Sequence, residues 1–501
     1  MIGPTLWALM RGFLAAASAA CWAASALAQQ DSVLTFHGRP DRTGDFVVPK
    51  LTWERARVLH LDEGFNARVS GHVYAQPLYW HPPGSTSGIV LVATEDNTVY
   101  ALDGTSGREV WKQFLGRPVS RSSLSCGNIN PLGVTGTPVI DPSSQTIYLD
   151  AASDEPSGPR HLIFGLSLRD GSVLPEWPID FANALEDRHE VFTARDQNQR
   201  GALAIFNQRI YVPFGGHYGD CGRYHGWVIG ISLKQPHDVK SWSTRAVGGG
   251  IWAPGGVSVV GTSLFVATGN TFGAADWSDG EAVIRLDPDL HRSSDKKDYF
   301  APSDWLQLDE RDADLGGSSP VALDAPASNG NQALLLALGK DRKAYLLDRN
   351  DLGGIGGSLR SETVSERLIL TSGAAYPVGD DVFVAFQGRG ARCPDPAQGN
   401  GLTVLKIHAG SPPSMSTAWC GSLSGAGSPI VTTTDGRADP IVWIVGAEGD
   451  DRLHGFRGDT GEPLYSGPTP AMSGLRHFQG LIATENRLYV GADGRVFGFT
   501  F

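Results

Sequence analysis

The sequence predicts an all-β fold, an eight-bladed β-propeller, from its composition, a repeated strand pattern and a recurring turn. The chain of 501 residues contains 63 glycines and 31 prolines, and only 19% of its residues are charged. Many glycines and few charged helical stretches indicate strands that are joined by many turns. Propellers of this length form one domain, so the length does not require several.

The strand pattern recurs from residue 71 onwards at a spacing of roughly 40 to 60 residues, which is typical of propeller blades. Each unit begins with small residues and a proline or glycine, continues with an apolar strand and ends in a turn. The eight units begin at Gly71, Gly136, Arg200, Ile251, Gly317, Gly373, Gly427 and His477. The alternative, several separate β-sandwiches, would need linkers, and no Pro/Ser-rich linker separates the units.

The eighth unit is short and lacks one strand. We expect residues 51–61, near the start of the mature chain, to supply that strand inside the last blade. Joining the two ends of the chain in one blade closes the ring and removes its exposed strand edges.

The turn signal is clearest in the segment Val99–Trp111. Its aromatic and β-branched residues predict two strands, and Asp103 and Gly107 predict the hairpin turn between them. The spacing Ala-x-Asp-x-x-Ser-Gly-x-x-x-Trp resembles the tryptophan-docking repeat of the eight-bladed quinoprotein alcohol dehydrogenases. The resemblance implies a propeller and a redox cofactor.

Residues 1–28 are predicted to be a secretory signal that is cleaved after Ala28. Arg11 supplies a positive charge, Phe13–Ala24 is a short apolar run, and residues 26–28 form a small-residue cleavage site. The run is too short for a membrane span, so we expect a periplasmic or secreted domain of residues 29–501 without a transmembrane segment. Lipid anchoring at Cys21 stays open. A net charge of −12 argues against nucleic acid as a partner.

Four cysteines follow the signal, and in an exported protein they predict two disulfides with three possible connectivities. No Cys-x-x-Cys-His motif is present, so covalently attached haem is not expected. The pair Cys393–Cys420 would close a loop within one blade. The pair Cys126–Cys221 would join two loops at the cofactor end, where the quinoprotein family has a bridge between adjacent cysteines.

Two segments resemble the cofactor-binding parts of that family in blades one and four. Gln76 lies in Ala75-Gln76-Pro77-Leu78, which is similar to the first blade. Trp252 follows a run of glycines, and Asn270 follows a strand, as do the family's stacking Trp and metal-binding Asn. A Trp offers a flat face to a planar cofactor, and an Asn oxygen suits Ca²⁺. The alternatives are a core Trp and a turn Asn.

Charged residues complete the resemblance. Asp312 and Asp314 precede a glycine pair where the family has a catalytic base near its metal, and Lys340 matches the cation that contacts the quinone oxygens. The resemblance implies Asp312 as the base, and Asp314, Asp220 and Asn270 as metal ligands. Aspartates beside glycines also cap turns, and a hairpin lysine is often simply solvated.

Two departures from the family pattern keep a second function open. Tyr74 stands in place of an acid that contacts the quinone, and Ser125 replaces one of the adjacent cysteines. His217 and His225, with Asp220, are conceivable zinc ligands, although their spacing matches no standard zinc pattern.

The resemblance implies a dehydrogenase that binds pyrroloquinoline quinone (PQQ) and Ca²⁺, oxidises a small-molecule alcohol and passes electrons to an external acceptor. The alternative is a propeller without catalysis that binds a protein or ligand as a scaffold, because the fold does not decide the function.

Overall fold

The computed structural model describes residues 32–327 and 330–501, which form eight sheets arranged as the blades of a propeller. The predicted all-β, eight-bladed fold is thereby confirmed. The predicted signal peptide and Cys21 lie outside the described residues. Seven of the predicted unit starts lie before the first strand of a blade, and Arg200 lies between the first two strands of blade 3.

The strands and helices have the following bounds. The strands of the first four blades are Leu78–Trp80, Ile89–Ala93, Thr98–Asp103 and Glu109–Phe114; Val139–Asp141, Thr146–Glu155 and Gly158–Ser167; Gln197–Asn198, Ala204–Phe206, Arg209–Gly216, Trp227–Ser232 and Val239–Ser243; and Ser258–Val260, Ser263–Thr268, Ala282–Leu286, Tyr299–Ala301 and Gly354–Ile355. Those of the last four blades are Val321–Ala325, Gln332–Leu338, Lys343–Asp348 and Arg360–Thr363; Ala374–Val378, Asp381–Arg389, Asn400–His408 and Ser414–Ser422; Ile430–Thr433, Ile441–Val445, Leu453–Arg457 and Pro463–Gly467; and Leu481–Ala483, Arg487–Ala492 and Arg495–Thr500. The N-terminal strands are Asp45–Val47, His60–Leu61 and Ala67–Arg68. The α-helices are Trp53–Ala56, Phe181–Glu186 and Trp305–Arg311, and the 3-10 helices are Phe36–Gly38, Arg121–Ser123, Ala194–Asp196, Lys296–Asp298, Leu315–Gly317 and Pro396–Gln398. None of the helices in these ranges is long and apolar enough to cross a membrane.

The predicted hairpin turn forms and joins two neighbouring blades. Asp103 Oδ1 accepts a hydrogen bond from the Ser106 backbone N at 2.7 Å, and Gly107 has a φ of +73°. A Cβ atom at Gly107 would lie 2.6 Å from the Ala67 backbone N, so both conformation and space require glycine there. Trp111 Nε1 donates to the Leu168 carbonyl of blade 2 at 3.0 Å. The tryptophan therefore docks one blade onto the next.

The hydrophobic core consists of separate clusters between adjacent blades. One such cluster includes Leu91 of blade 1 and Phe164 of blade 2, and another includes Leu334 of blade 5 and Phe386 of blade 6. Both faces of each sheet are thus covered, which explains why the strands are apolar runs and do not alternate strictly.

The N-terminal part of the chain completes the last blade. His60–Leu61 pairs with Thr500 and Phe499, and Ala67–Arg68 pairs with Val496 and Arg495. Closure by an N-terminal strand is therefore confirmed.

Most of the predicted strand 51–61 is not a strand. Trp53–Ala56 forms a short helix, because Thr52 caps it and accepts a hydrogen bond from the Arg55 backbone N at 3.3 Å. Pairing is limited to the last two residues of the predicted stretch and to Ala67–Arg68.

The segment before the helix, residues 33–48, runs along the first strands of five blades, a feature that the sequence did not predict. Its backbone pairs with Tyr79, Ile140, Val259, Ala375 and Val431 of blades 1, 2, 4, 6 and 7. The part Asp45–Val47 adds a parallel strand to blade 7. We call residues 33–48 the channel segment, because the first strands of the blades surround the central channel.

Candidate functional site

The site is built on a contact between an indole and a carboxylate. Trp252 lies in the loop before the first strand of blade 4, and its Nε1 donates to Asp314 Oδ2 at 3.0 Å. The other oxygen of Asp314 accepts from the Asn270 backbone N at 3.3 Å. A Cβ atom at Gly269 would lie 3.2 Å from both the Asp314 carboxylate and Trp252 Nε1. The glycine therefore leaves room for the two side chains to meet.

Lys340 joins this contact from the turn that follows strand Gln332–Leu338. Its Nζ lies 2.9 Å from Asp314 Oδ2 and 2.6 Å from Asp312 Oδ1, and 5.2 Å from the centre of the Trp252 ring. Its backbone N donates to the Asp314 carbonyl at 2.8 Å, which fixes the turn beside the carboxylate. One ammonium group therefore contacts two carboxylates and an aromatic ring.

Burial and charge set the protonation of this group. Burial opposes the charged form of Lys340, but Asp314 and Asp312 outweigh it and raise the pKa of the ammonium. Burial, together with the charges of Asp312 and Asp220, raises the pKa of Asp314, while Lys340 acts in the opposite direction. Lys340 is thus a protonated cation at neutral pH.

The two aspartates of the Asp-Ala-Asp segment have different surroundings. Asp312 ends the helix Trp305–Arg311 in a left-handed conformation, and 65% of its side chain is exposed. The side chain of Asp314 is only 3% exposed and is held by Trp252, Asn270 and Lys340. A solute can therefore reach Asp312 more easily than Asp314.

The expected metal ligands are only partly gathered. The side-chain amide of Asn270, close to Asp314, makes no hydrogen bond to another described residue. Asp220 is exposed and accepts a hydrogen bond from the Tyr224 hydroxyl at 2.6 Å. Within residues 32–327 and 330–501, no three His, Cys, Asp or Glu side chains are grouped to hold a metal ion. His217, Asp220 and His225, the alternative zinc ligands, are therefore not grouped around one position either.

Gln76 lies in the same ring of blade starts but contacts the channel segment. Its Oε1 accepts from the His37 backbone N at 3.3 Å, and its own backbone N donates to Thr137 Oγ1 at 2.9 Å. Gln76 thus contacts His37. Trp252, in contrast, contacts Asp314 and Lys340.

The cysteines form the two bridges that were expected. Cys126 is joined to Cys221 and Cys393 to Cys420, each with a Cα–Cα distance of 5.8 Å. Ser125, in the place of the missing cysteine, donates a short hydrogen bond to Asp196.

Several polar residues of the site region were not predicted. Glu281 is fully buried, and its Oε2 accepts from the Leu315 backbone N at 2.6 Å; burial and the nearby Asp314 charge raise its pKa well above the ordinary value. Arg200 and His477 were noted only as unit starts, yet they line a small cavity at the channel with Tyr74 and Phe478. Their common position at blade starts was the signal that could have identified them.

The comparisons with known proteins agree with this architecture. The PQQ_2 family model, described as "Outer membrane protein assembly factor BamB", matches residues 50–289. No curated protein matches the chain in sequence.

Similar solved structures include two dehydrogenases and BamB. The quinohemoprotein alcohol dehydrogenase of Comamonas testosteroni is 14% identical with a TM-score of 0.65, over 94% of this chain and 80% of that chain. A europium-containing methanol dehydrogenase is 12% identical with a TM-score of 0.66, over 94% and 98%. BamB from Moraxella catarrhalis is 12% identical with a TM-score of 0.52, over 88% and 100%.

Identities this low show a common fold alone. Together with the repeats, the docking tryptophan and the eight closed blades, they lead to one conclusion. This chain is an eight-bladed propeller that resembles the quinoprotein alcohol dehydrogenase-like family.

Proposed function

We propose that the chain is an exported dehydrogenase that oxidises an alcohol-type substrate with the help of PQQ. The observation that carries the proposal is the meeting of Trp252, Asp314 and Lys340, which come from two blades and are separated by up to 88 residues in the sequence (340 − 252). The two disulfides suit an oxidising compartment, which supports export to the periplasm or beyond.

The donor set fits a planar, anionic quinone. Trp252 is partly exposed and offers its ring as a flat apolar surface. Lys340 beside it supplies a positive charge, which stabilises negative charge that develops on a bound ring. When bound, the quinone would supply an acceptor for the hydride of the alcohol, which carries both electrons of the oxidation.

Asp312 is the proposed base that accepts the proton of the substrate hydroxyl. Its side chain is 65% exposed, so a hydroxyl can come within hydrogen-bond distance, as a general base requires. Asp314, which already accepts from Trp252 and Asn270, orients the indole and Lys340. Asp312 is therefore the proposed base and Asp314 a positioning residue.

The residues present do not complete a calcium site. Ca²⁺ takes about 6–8 oxygen ligands, and of the three expected side chains only the Asn270 amide is without a hydrogen bond among described residues. Asp314 is engaged by Lys340 and Trp252. The proposed steps therefore use only the side chains of the protein, and reconstitution with and without a metal ion tests whether one is needed.

The test is reconstitution of the purified protein with PQQ, with and without Ca²⁺ or Eu³⁺, followed by absorbance titration and dye reduction with simple alcohols. Asp312→Ala should abolish turnover and leave quinone binding within about twofold. Trp252→Ala should raise the Kd of the quinone at least tenfold, because the ring contact is lost. Asp380→Ala, which removes an exposed aspartate, is the matched control and should behave as wild type.

A scaffold without catalysis is the second candidate. It is favoured by the match to the BamB family model and by Ser125, which excludes the family's adjacent-cysteine bridge. If the quinone does not bind the wild-type protein under any metal condition, the dehydrogenase proposal is wrong and the scaffold becomes the better account.

A further inference from the structure

Arg200, at the start of blade 3, forms no ion pair with a carboxylate of the described residues, although it feels the charges of Glu95 and Glu448. Among residues 32–327 and 330–501, its side chain makes one hydrogen bond, from Nη2 to His477 Nε2 at 3.1 Å. Within the described ranges, no Asp or Glu oxygen forms an ion pair with it, whereas Arg476 is paired with Asp493 and Arg245 with Asp279. A guanidinium has five N–H donors, so four of them have no acceptor among the residues that the structure describes.

The surroundings hold the Arg200 guanidinium in one orientation. It lies 5.0 Å from the centre of the Phe478 ring and 5.6 Å from that of Tyr74. His477 Nδ1 lies 2.9 Å from the Glu448 carboxylate, so this nitrogen carries the proton and Nε2 accepts from Arg200. Glu448 therefore fixes the histidine tautomer, and the histidine fixes the arginine.

The unused donors lie beside a cavity at the channel mouth. Arg200, His477, Tyr74 and Thr137 line it, and it encloses about 20 Å³, the size of one water-sized group. Thr137 is 4% exposed; its oxygen accepts from the Gln76 backbone N, and its hydroxyl proton has no acceptor among the described residues. A planar cation and a hydroxyl donor thus face the same space.

We propose that Arg200 binds a carboxylate group of a small-molecule ligand at the channel mouth. The guanidinium fork matches the two oxygens of a carboxylate, and a carboxylate restores the hydrogen bonds that a half-buried cation otherwise lacks. The cavity takes one oxygen of the group, and the rest of the ligand lies against Phe478, whose ring centre is 6.4 Å from that of Trp252.

Two ligands could supply the carboxylate in this geometry. Both belong to the proposed dehydrogenase reaction, so this part of the inference rests on the proposed function. One source is a carboxylate of the quinone itself. The other is the substrate, which would then be a hydroxy acid and not a neutral alcohol.

The experiment titrates the full-length mature protein with benzoate and with benzyl alcohol, its uncharged counterpart, by ligand-observed NMR. Benzoate should bind saturably, and Arg200→Gln should raise its Kd at least tenfold without changing the weak binding of benzyl alcohol. Arg117→Gln removes the same charge from a side chain that is 72% exposed, and it should leave benzoate binding unchanged. Circular dichroism checks folding, and Arg200→Lys, which keeps the charge but not the fork, replaces the glutamine variant if that one does not fold.

Equal affinities for benzoate and benzyl alcohol, or unchanged benzoate binding in Arg200→Gln, would overturn the proposal. A second titration with PQQ present identifies the source. If PQQ and benzoate compete, and Arg200→Gln weakens PQQ binding, the site belongs to the quinone. If PQQ and benzoate bind at the same time, the site belongs to the substrate. If benzoate binds through Arg200 and PQQ does not bind at all, the carboxylate site stands and the dehydrogenase proposal fails.

Discussion

Replacement of Arg42 by alanine should destabilise the propeller because this residue ties the channel segment to two blades. Arg42 is fully buried and has no carboxylate partner among the described residues. It donates to the carbonyls of Val257 and Leu203, at 3.0 and 2.8 Å, in blades 4 and 3. It also donates to Thr35 Oγ1 at 2.6 Å and to the Phe36 carbonyl at 3.1 Å within the channel segment. Burial lowers its pKa to about 9, so it stays charged at neutral pH.

The magnitude follows from the acceptors that the substitution leaves behind. Three buried backbone carbonyls lose their donor, and each unsatisfied group costs about 1–3 kcal/mol. The substitution also removes the cost of burying a cation, which is several kcal/mol, and this gain offsets part of that sum. We expect a net loss of about 3 kcal/mol in the free energy of unfolding. For a chain of 501 residues the entropy of unfolding is about 1 kcal/mol/K, so Tm should fall by about 3 °C.

The assay is urea unfolding followed by tryptophan fluorescence, with scanning calorimetry for Tm. Arg39→Ala is the matched control in the same segment, because the side chain of Arg39 is 52% exposed and forms surface ion pairs with Asp41 and Asp45. It should cost less than about 1 kcal/mol. If both variants are equally stable, the channel segment does not hold blades 3 and 4 together as described.

Two further predictions concern a buried carboxyl and a docking turn. Burial raises the pKa of Glu95 from 4.5 to about 7, so its stabilising contribution is complete below pH 4.5 and is lost as the pH rises through 7. Wild type should therefore lose about 3 kcal/mol relative to Glu95→Gln between pH 4.5 and 8 in urea unfolding, whereas parallel pH curves would contradict the buried environment. Gly461→Ala should cost about 2 kcal/mol more than Gly494→Ala, because both positions have a positive φ but only at Gly461 would the Cβ atom lie 2.5 Å from Trp419. Equal losses on thermal unfolding would show that the tryptophan does not need this space.

The blade architecture could be predicted because its signals are local. Asp103, Gly107 and Trp111 lie within nine residues, and their types alone specify a hairpin with a tryptophan at its end. The eight unit starts are likewise local patterns, and seven of them precede the first strand of a blade. The closing strand was placed in the right blade, but its length was wrong because Thr52 caps a helix within it.

The candidate site could be predicted only as far as family-like motifs reach. Trp252, Asp314 and Lys340 were named from the sequence, and the structure brings them together. The sequence could not separate the exposed Asp312 from the buried Asp314, because burial depends on the packing of blade 5 against blade 4.

The sequence by itself determined the repeat, the number of blades and the residue types at the channel mouth, since hydrogen-bonded turns and apolar strands are specified by neighbouring residues. The tertiary structure alone decided that residues 33–48 line the first strands of the blades, that Arg42 is buried, and that Arg200 has no carboxylate partner among the described residues. These properties depend on partners that are far apart in the chain, such as Arg42 and Val257, which are 215 residues apart. Only closure of the ring brings such partners within hydrogen-bond distance.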